Sequence, residues 1–168
     1  MIINTPEEHI RFLENNLLIP IRKVMASQDT VFGFMLMGQA IEILGSYLDN
    51  KPIRAKQQSA SRFSLAIYKL FPPKYAEINK NNALYIQLRA CLTHTFIPSG
   101  NVSLNFGFDE TKKHHLKLEN DVLYLYSENL YSDLTNAVKQ LITNIRLYKI
   151  RLKKLSIGEV NLNQNRQV

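Results

Sequence analysis

In the stretch LYIQLRACLTHTFIPSG, residues 84–100, Arg89 and His94 stand five positions apart. Together these residue types suit phosphodiester chemistry on RNA without a metal. Histidine titrates near neutrality and can move a proton to or from a ribose 2′-hydroxyl or a leaving oxygen. Arginine stabilises the charge that builds on a phosphate. The spacing does not give the pair one face of a regular helix. Five residues at about 100° each leave the side chains roughly 140° apart. A joint site then needs a distorted helix near Thr93, or a second chain that brings its own copy of the pair. The plain structural alternative is an arginine bound to a carboxylate and a histidine on free carbonyls at a helix end.

Other chemistries find little footing. Cys91 is the only cysteine, which excludes a disulfide framework and a cysteine zinc site. The histidines His9, His94, His114 and His115 make no pair at metal-ligand spacing with a third ligand nearby, so neither metal nor cofactor is expected. His114-His115 reads as an exposed strand entry. There is no glycine-rich phosphate loop and no Ser-His-Asp arrangement.

Charge points toward acidic partners. The net charge is +7, and residues 139–168 hold seven basic residues against one acidic. A basic patch attracts phosphate backbones. Candidate contacts are Arg146, Lys149 and Lys153 near this end, and Arg54, Lys56 and Arg62 in the loop PIRAKQQSASRF. An ordinary basic loop, with Ser59 or Ser61 capping the next helix, and a solvated tail are the competing readings. Tyr124, Tyr126 and Tyr131 suit packing better than base stacking.

The elements that must position these residues are mostly helical. Thr5-Pro6-Glu7-Glu8 starts the first helix, with threonine as cap and proline in the first turn. Pro20 should end or kink it. Asp29-Thr30 starts a second, running to Tyr47 or Leu48. Nearly all its faces are apolar, so it should be central, with Gly33, Gly38 and Gly45 admitting another backbone. SRFSLAIYKLF forms a third helix closed by Pro72-Pro73, and NNALYIQLRACLTH a fourth. The pattern then alternates in VSLNFGF and in HLKLENDVLYLY, giving short strands with a turn at Asn120-Asp121. A last helix is expected from about Ser127 to Lys154. Its stripe of Leu134, Val138, Leu141, Ile145, Tyr148, Leu152 and Leu155 faces either the bundle or a second copy.

With these elements in place, Arg89-Ala90-Cys91-Leu92-Thr93-His94 resembles the R-x4–6-H signature of HEPN domains, small helical domains of which many are RNases in toxin–antitoxin, CRISPR-linked and antiphage systems. The resemblance covers the preceding helices and residues 88–98, not the strands or the last helix. The resemblance implies a mainly α fold, a HEPN-like helical bundle, to which the alternating pattern adds a small antiparallel β-sheet, at about 102–126, inserted before a long C-terminal helix. It implies a homodimer whose two motifs share one cleft, and contact with RNA. It also implies a metal-independent endoribonuclease of a bacterial defence or toxin–antitoxin system, with an antitoxin or other protein as a further partner. One position departs from the pattern: active members often carry a polar residue after the arginine, and here it is Ala90. A non-catalytic helical interaction module is the alternative.

Residues 1–158 read as one such domain and 159–168 as a polar, disordered tail. The N-terminus carries no signal-peptide pattern. VFGFMLMGQAIEILGSYL reads as too short and too polar for a membrane span. A cytoplasmic protein is expected.

Overall fold

The computed structural model describes residues 2–109, 113–156 and 158. The tail at 159–168 lies outside the described residues.

The first helix, α1, is built from three runs: Pro6–Arg11, the π-helical Phe12–Leu18, and Ile19–Ala26. It starts as expected. Glu8 N–H donates to Thr5 Oγ1, and the Glu8 carboxylate accepts from Thr5 N–H at 3.0 Å, a reciprocal cap. Pro20 neither ends nor breaks the helix. The π-helical run directly precedes it, and such a widened turn accommodates a residue that lacks an N–H and crowds the preceding turn.

Helix α2, Thr30–Leu48, is central. Phe34, Met37, Ile41 and Leu44 have no exposed surface. By length and hydropathy α2 would reach across a bilayer, contrary to the reading of its sequence. Here its apolar side chains, Phe32 excepted, lie in the chain's own core or pack against it. Its glycines act as expected at two places. A Cβ at Gly38 would lie 2.5 Å from the Leu88 carbonyl oxygen, and one at Gly45 would overlap the Arg62 carbonyl.

Helix α3, Ser59–Leu70, is closed by Phe71 and Pro72 and followed by α4, Pro73–Ile78. A short turn carries Asn81 and Asn82 at φ 55° and 60°, left-handed positions that asparagine tolerates. Helix α5 then runs through Ala83–Tyr85, the π-helical Ile86–Cys91 and Leu92–Thr95. It stops at Phe96, φ 56°.

Strands β2 (Val102–Asn105), β3 (Lys117–Glu119) and β4 (Val122–Tyr126) form a sheet ordered β2-β4-β3. The β3–β4 hairpin turns at Asn120-Asp121, both at positive φ. The sheet is not purely antiparallel as expected: β2 runs parallel to β4, with Val102 opposite Leu123. The hairpin occupies one edge of β4, and β2 lies along the other in the same direction as β4.

Helix α6 is shorter than its heptad stripe suggests, ending at Arg146. Leu134, Val138, Leu141 and Ile145 pack into the core of this chain. Tyr148 then turns left-handed at φ 53° and is 84% exposed. Leu155 belongs to strand β5, Leu155–Ser156, which pairs antiparallel with β1, Ile2–Ile3. The stripe beyond Ile145 is therefore not a helical face. Pairing with the N-terminal strand buries Ile3 and Leu155 instead.

Candidate functional site

Arg89 sits on the π-helical run of α5, where its backbone packs beside Gly38 of α2. Its Nε donates to Glu42 Oε2 at 2.7 Å. Ser59, the first residue of α3, donates to the other oxygen of Glu42 at 2.9 Å. One turn earlier on α2, Gln39 Nε2 donates to Thr93 Oγ1 at 2.9 Å. α2 thus holds α5 through two polar contacts, one at Arg89 and one at Thr93, the neighbour of His94.

The Glu42 bond uses Nε alone, so the two terminal nitrogens of Arg89 take no acceptor among the described residues. They form the edge that meets a phosphate or a carboxylate. His94 lies in the last turn of α5, exposed and without a side-chain hydrogen bond among the described residues. It does not bond to Arg89. The π-helical run widens the turn to an i→i+5 pattern, which moves positions five apart toward a common face. The run ends at Cys91, so it covers the Arg89 end of the spacing, and His94 follows on the α-helical turn Leu92–Thr95. Sequence reasoning passed over Glu42 and read Ser59 as a candidate helix cap, whereas Gln58 takes the cap position and Ser59 bonds to Glu42. The available signal was that Glu42 is the only charged residue of α2. A lone charge in a central apolar helix needs a partner.

The two basic segments converge on Asp49, just past the end of α2. Arg62 Nε donates to Asp49 Oδ2 at 2.7 Å, and its other nitrogens reach the carbonyls of Pro52 and Ile53 at 2.7 and 2.5 Å. Lys153 donates to Asp49 Oδ1 at 2.6 Å and to the Ser46 carbonyl. Arg54 donates to the Ser156 carbonyl at 3.0 Å. Burial works to raise the Asp49 pKa, but the bonds from Arg62, Lys153 and the Lys51 N–H outweigh it and hold it at about 2.

The expected contact residues divide accordingly. Arg62 is 3% exposed and fully engaged, because it lies on the buried face of α3 and satisfies loop carbonyls. Lys153 is likewise turned inward. Arg54, Lys56, Arg146 and Lys149 are exposed. Sequence reasoning did not single out Lys51, Arg151 and Lys154, which are exposed and line a cleft of about 470 Å³ over the Asp49 ion pairs.

A third cluster was not anticipated. His115 is 8% exposed, not an exposed strand entry. Tyr126 N–H donates to its Nδ1 at 3.0 Å, which leaves the ring proton on Nε2. Nε2–H then donates to Tyr75 Oη at 2.9 Å, and Tyr75 O–H donates to Asp133 Oδ2 at 2.7 Å. The relay has one direction and ends on Asp133. Burial first, then the Lys74 charge, lowers the His115 pKa to about 4 against the pull of Asp109. Burial and the Asp133 charge push Tyr75 well above its usual range. Burial raises Asp133, partly opposed by the Tyr75 bond.

Among the described residues, no group of three or more His, Cys, Asp or Glu side chains is placed to hold a metal. No protein-family model matches the chain, and no similar curated protein or solved structure was found.

Proposed function

We propose that the chain is a HEPN-like, RNA-contacting cytoplasmic protein that works as a homodimer. In this reading it is a metal-independent endoribonuclease of a bacterial defence or toxin–antitoxin system. The observation that carries the reading is the state of Arg89. It is anchored through Nε on Glu42, its terminal nitrogens have no partner among the described residues, and its π-widened helix ends in an exposed histidine. An arginine held in this way is pre-organised for a phosphate.

In the reaction the ribose 2′-oxygen attacks the adjacent phosphorus and the 5′-oxygen leaves. Arg89 balances charge on the phosphate oxygens, and His94 takes the 2′-hydroxyl proton or supplies one to the leaving oxygen. In a dimer, the pair from one protomer works beside that of its partner. Lys51, Arg151 and Lys154, with Arg54 and Lys56 on the neighbouring loop, would carry the strand's phosphates.

A second reading, the non-catalytic interaction module, has its own support. Ala90 offers no polar group beside Arg89. Phe32 and Phe96 pair at 5.8 Å while about half exposed, and Ile97 is 67% exposed. This apolar surface follows directly on His94 and suits a protein partner.

The RNA reading is tested by fluorescence anisotropy with a labelled single-stranded RNA at two salt concentrations. The triple variant Lys51→Ala, Arg151→Ala, Lys154→Ala should bind more weakly at low salt. Its salt dependence should be shallower, by about 0.7 for each phosphate that is no longer neutralised. Binding unchanged in that variant, or absent in the wild type, would go against the reading.

A further inference from the structure

We propose that the cleft over Asn129 and Asp133, on α6, binds the Watson–Crick edge of a guanine base. The inference rests on the RNA reading above, and concerns a surface separate from Arg89 and His94.

The cleft measures about 390 Å³, within the range of roughly 300–1,000 Å³ usual for small-molecule sites. Its wall is a row of polar side chains on one face of α6. Asn129, Asp133 and Asn136 lie four and three positions apart, so they stack along that face.

The hydrogen-bonding polarity of Asn129 and Asp133 is fixed from behind. Asp109 N–H donates to Asn129 Oδ1 at 2.8 Å, so the oxygen of this amide faces the backbone. Its Nδ2 takes no acceptor among the described residues and is left as a donor. The relay from Tyr126 through His115 and Tyr75 ends on Asp133 Oδ2, and Asp133 Oδ1 takes no hydrogen bond among the described residues. Tyr75 cannot reverse its proton, because His115 Nε2 is itself a donor. Asp133 is therefore held as an acceptor. It also has no cationic partner among the described residues, an unusual condition for a half-buried carboxylate.

One turn of α6 thus offers a donor followed by acceptors. Guanine presents the complement: the O6 acceptor, then the N1 and N2 donors. Uracil would set its O2 against the Asp133 carboxylate. Adenine and cytosine each set a ring-nitrogen acceptor there. Phe108, half exposed at the rim, offers a ring for stacking. Lys74 lines the same cleft and donates to the His115 carbonyl at 3.3 Å. Its charge disfavours a guanidinium or amine ligand and favours a neutral base that carries a phosphate.

The test has two arms. Calorimetry with guanosine, adenosine and uridine 5′-monophosphates reads the free base. Anisotropy with an oligouridine, with and without one central guanosine, reads the base within a strand. Guanosine monophosphate should bind, and the other two should bind at least roughly tenfold more weakly. The central guanosine should tighten strand binding by a similar factor. Both preferences should vanish in Asp133→Asn, whose amide oxygen can still accept from Tyr75 and keep the fold. Phe108→Ala, on a half-exposed side chain, gives an independent variant and should weaken guanosine monophosphate binding should Asp133→Asn fail to fold.

Oligouridine binding with no gain from guanosine, and no preference among the mononucleotides, would overturn the inference and leave the RNA reading standing. Guanosine monophosphate binding that needs Asp133, with neither oligomer bound, would support the cleft as a free-nucleotide site and count against the RNA reading. Stronger competition by arginine amide than by guanosine monophosphate would also overturn it.

Discussion

Arg89 and Glu42 are joined at 2.7 Å between Nε and Oε2, and both side chains are largely covered. The two residues are 47 positions apart in sequence, on different helices. The contact exists because Gly38 lets the backbone at Leu88 approach α2 within reach of a side chain one turn further on. Positioning of the candidate phosphate group and packing of the core are therefore one problem.

Removing Glu42 should affect both. Glu42→Ala leaves Arg89 without its anchor and Ser59 without its acceptor, a cost of about 2 kcal/mol for a charged hydrogen bond. Glu42→Gln keeps an acceptor for Arg89 Nε on its single amide oxygen, with Ser59 turned to accept from the amide N–H, and should retain most of the stability. Denaturant melts of the two variants check this. Equal stability for wild type and Glu42→Ala would mean that the ion pair holds nothing in place.

Arg62 and Lys154 differ in what they should do, although both are basic residues near the same cleft. Arg62→Ala strips a buried charge partner from Asp49 and frees the carbonyls of Pro52 and Ile53. It should cost about 3–5 kcal/mol. Lys154→Ala should leave stability within about 0.5 kcal/mol, as for an ordinary surface change. Thermal melts distinguish them, and equal melting temperatures would contradict the assignment of Arg62 as an internal cation.

Gly45→Ala should destabilise strongly. The added Cβ would collide with the Arg62 backbone, and neither element is at a flexible end. Overpacking typically costs about 1–3 kcal/mol, and a backbone collision belongs at the upper end. Gly100→Ala, where nothing lies near the added carbon, is the control. A Gly45→Ala protein as stable as that control would show that α2 and α3 sit further apart.

Acid should weaken the fold through His115. An unfolded histidine titrates near 6.5, whereas this one is held at about 4 by burial and Lys74, against Asp109. Below pH 6.5 the unfolded chain therefore takes up a proton that the folded chain refuses. Stability falls from there to about pH 4 and the effect then levels off. His9, also lowered by burial, acts in the same direction. Asp133 is raised and acts oppositely in the carboxylate range, so the comparison uses pH 7 and pH 5. The denaturation midpoint should drop between those values, and drop less in His115→Gln. Identical pH dependence in the two proteins would place the effect elsewhere.

Local signals in the sequence read well. Thr5 with Glu8, Asp29-Thr30 before an apolar helix, Pro72-Pro73 after α3, and Asn120-Asp121 between strands each act within a few residues, and each marks a boundary seen in the structure. What was missed depends on partners far along the chain. Tyr148, Leu152 and Leu155 keep helical spacing, but strand pairing with Ile2–Ile3 takes the chain out of helix. Arg62 looks like a loop cation until Asp49 and two carbonyls close on it. His115 looks exposed beside a second histidine and two lysines, and only Tyr75, Tyr126 and Asp109 explain its burial. The π-helical run under Arg89 has no residue signature of its own.

The most direct test of the central claim is cleavage of single-stranded RNA in the presence of EDTA by the wild type, Arg89→Ala and His94→Ala, with folding checked by circular dichroism. The account predicts cleavage by the wild type and none by either variant, all three folded alike. No cleavage by the folded wild type, or cleavage undiminished in His94→Ala, would contradict it.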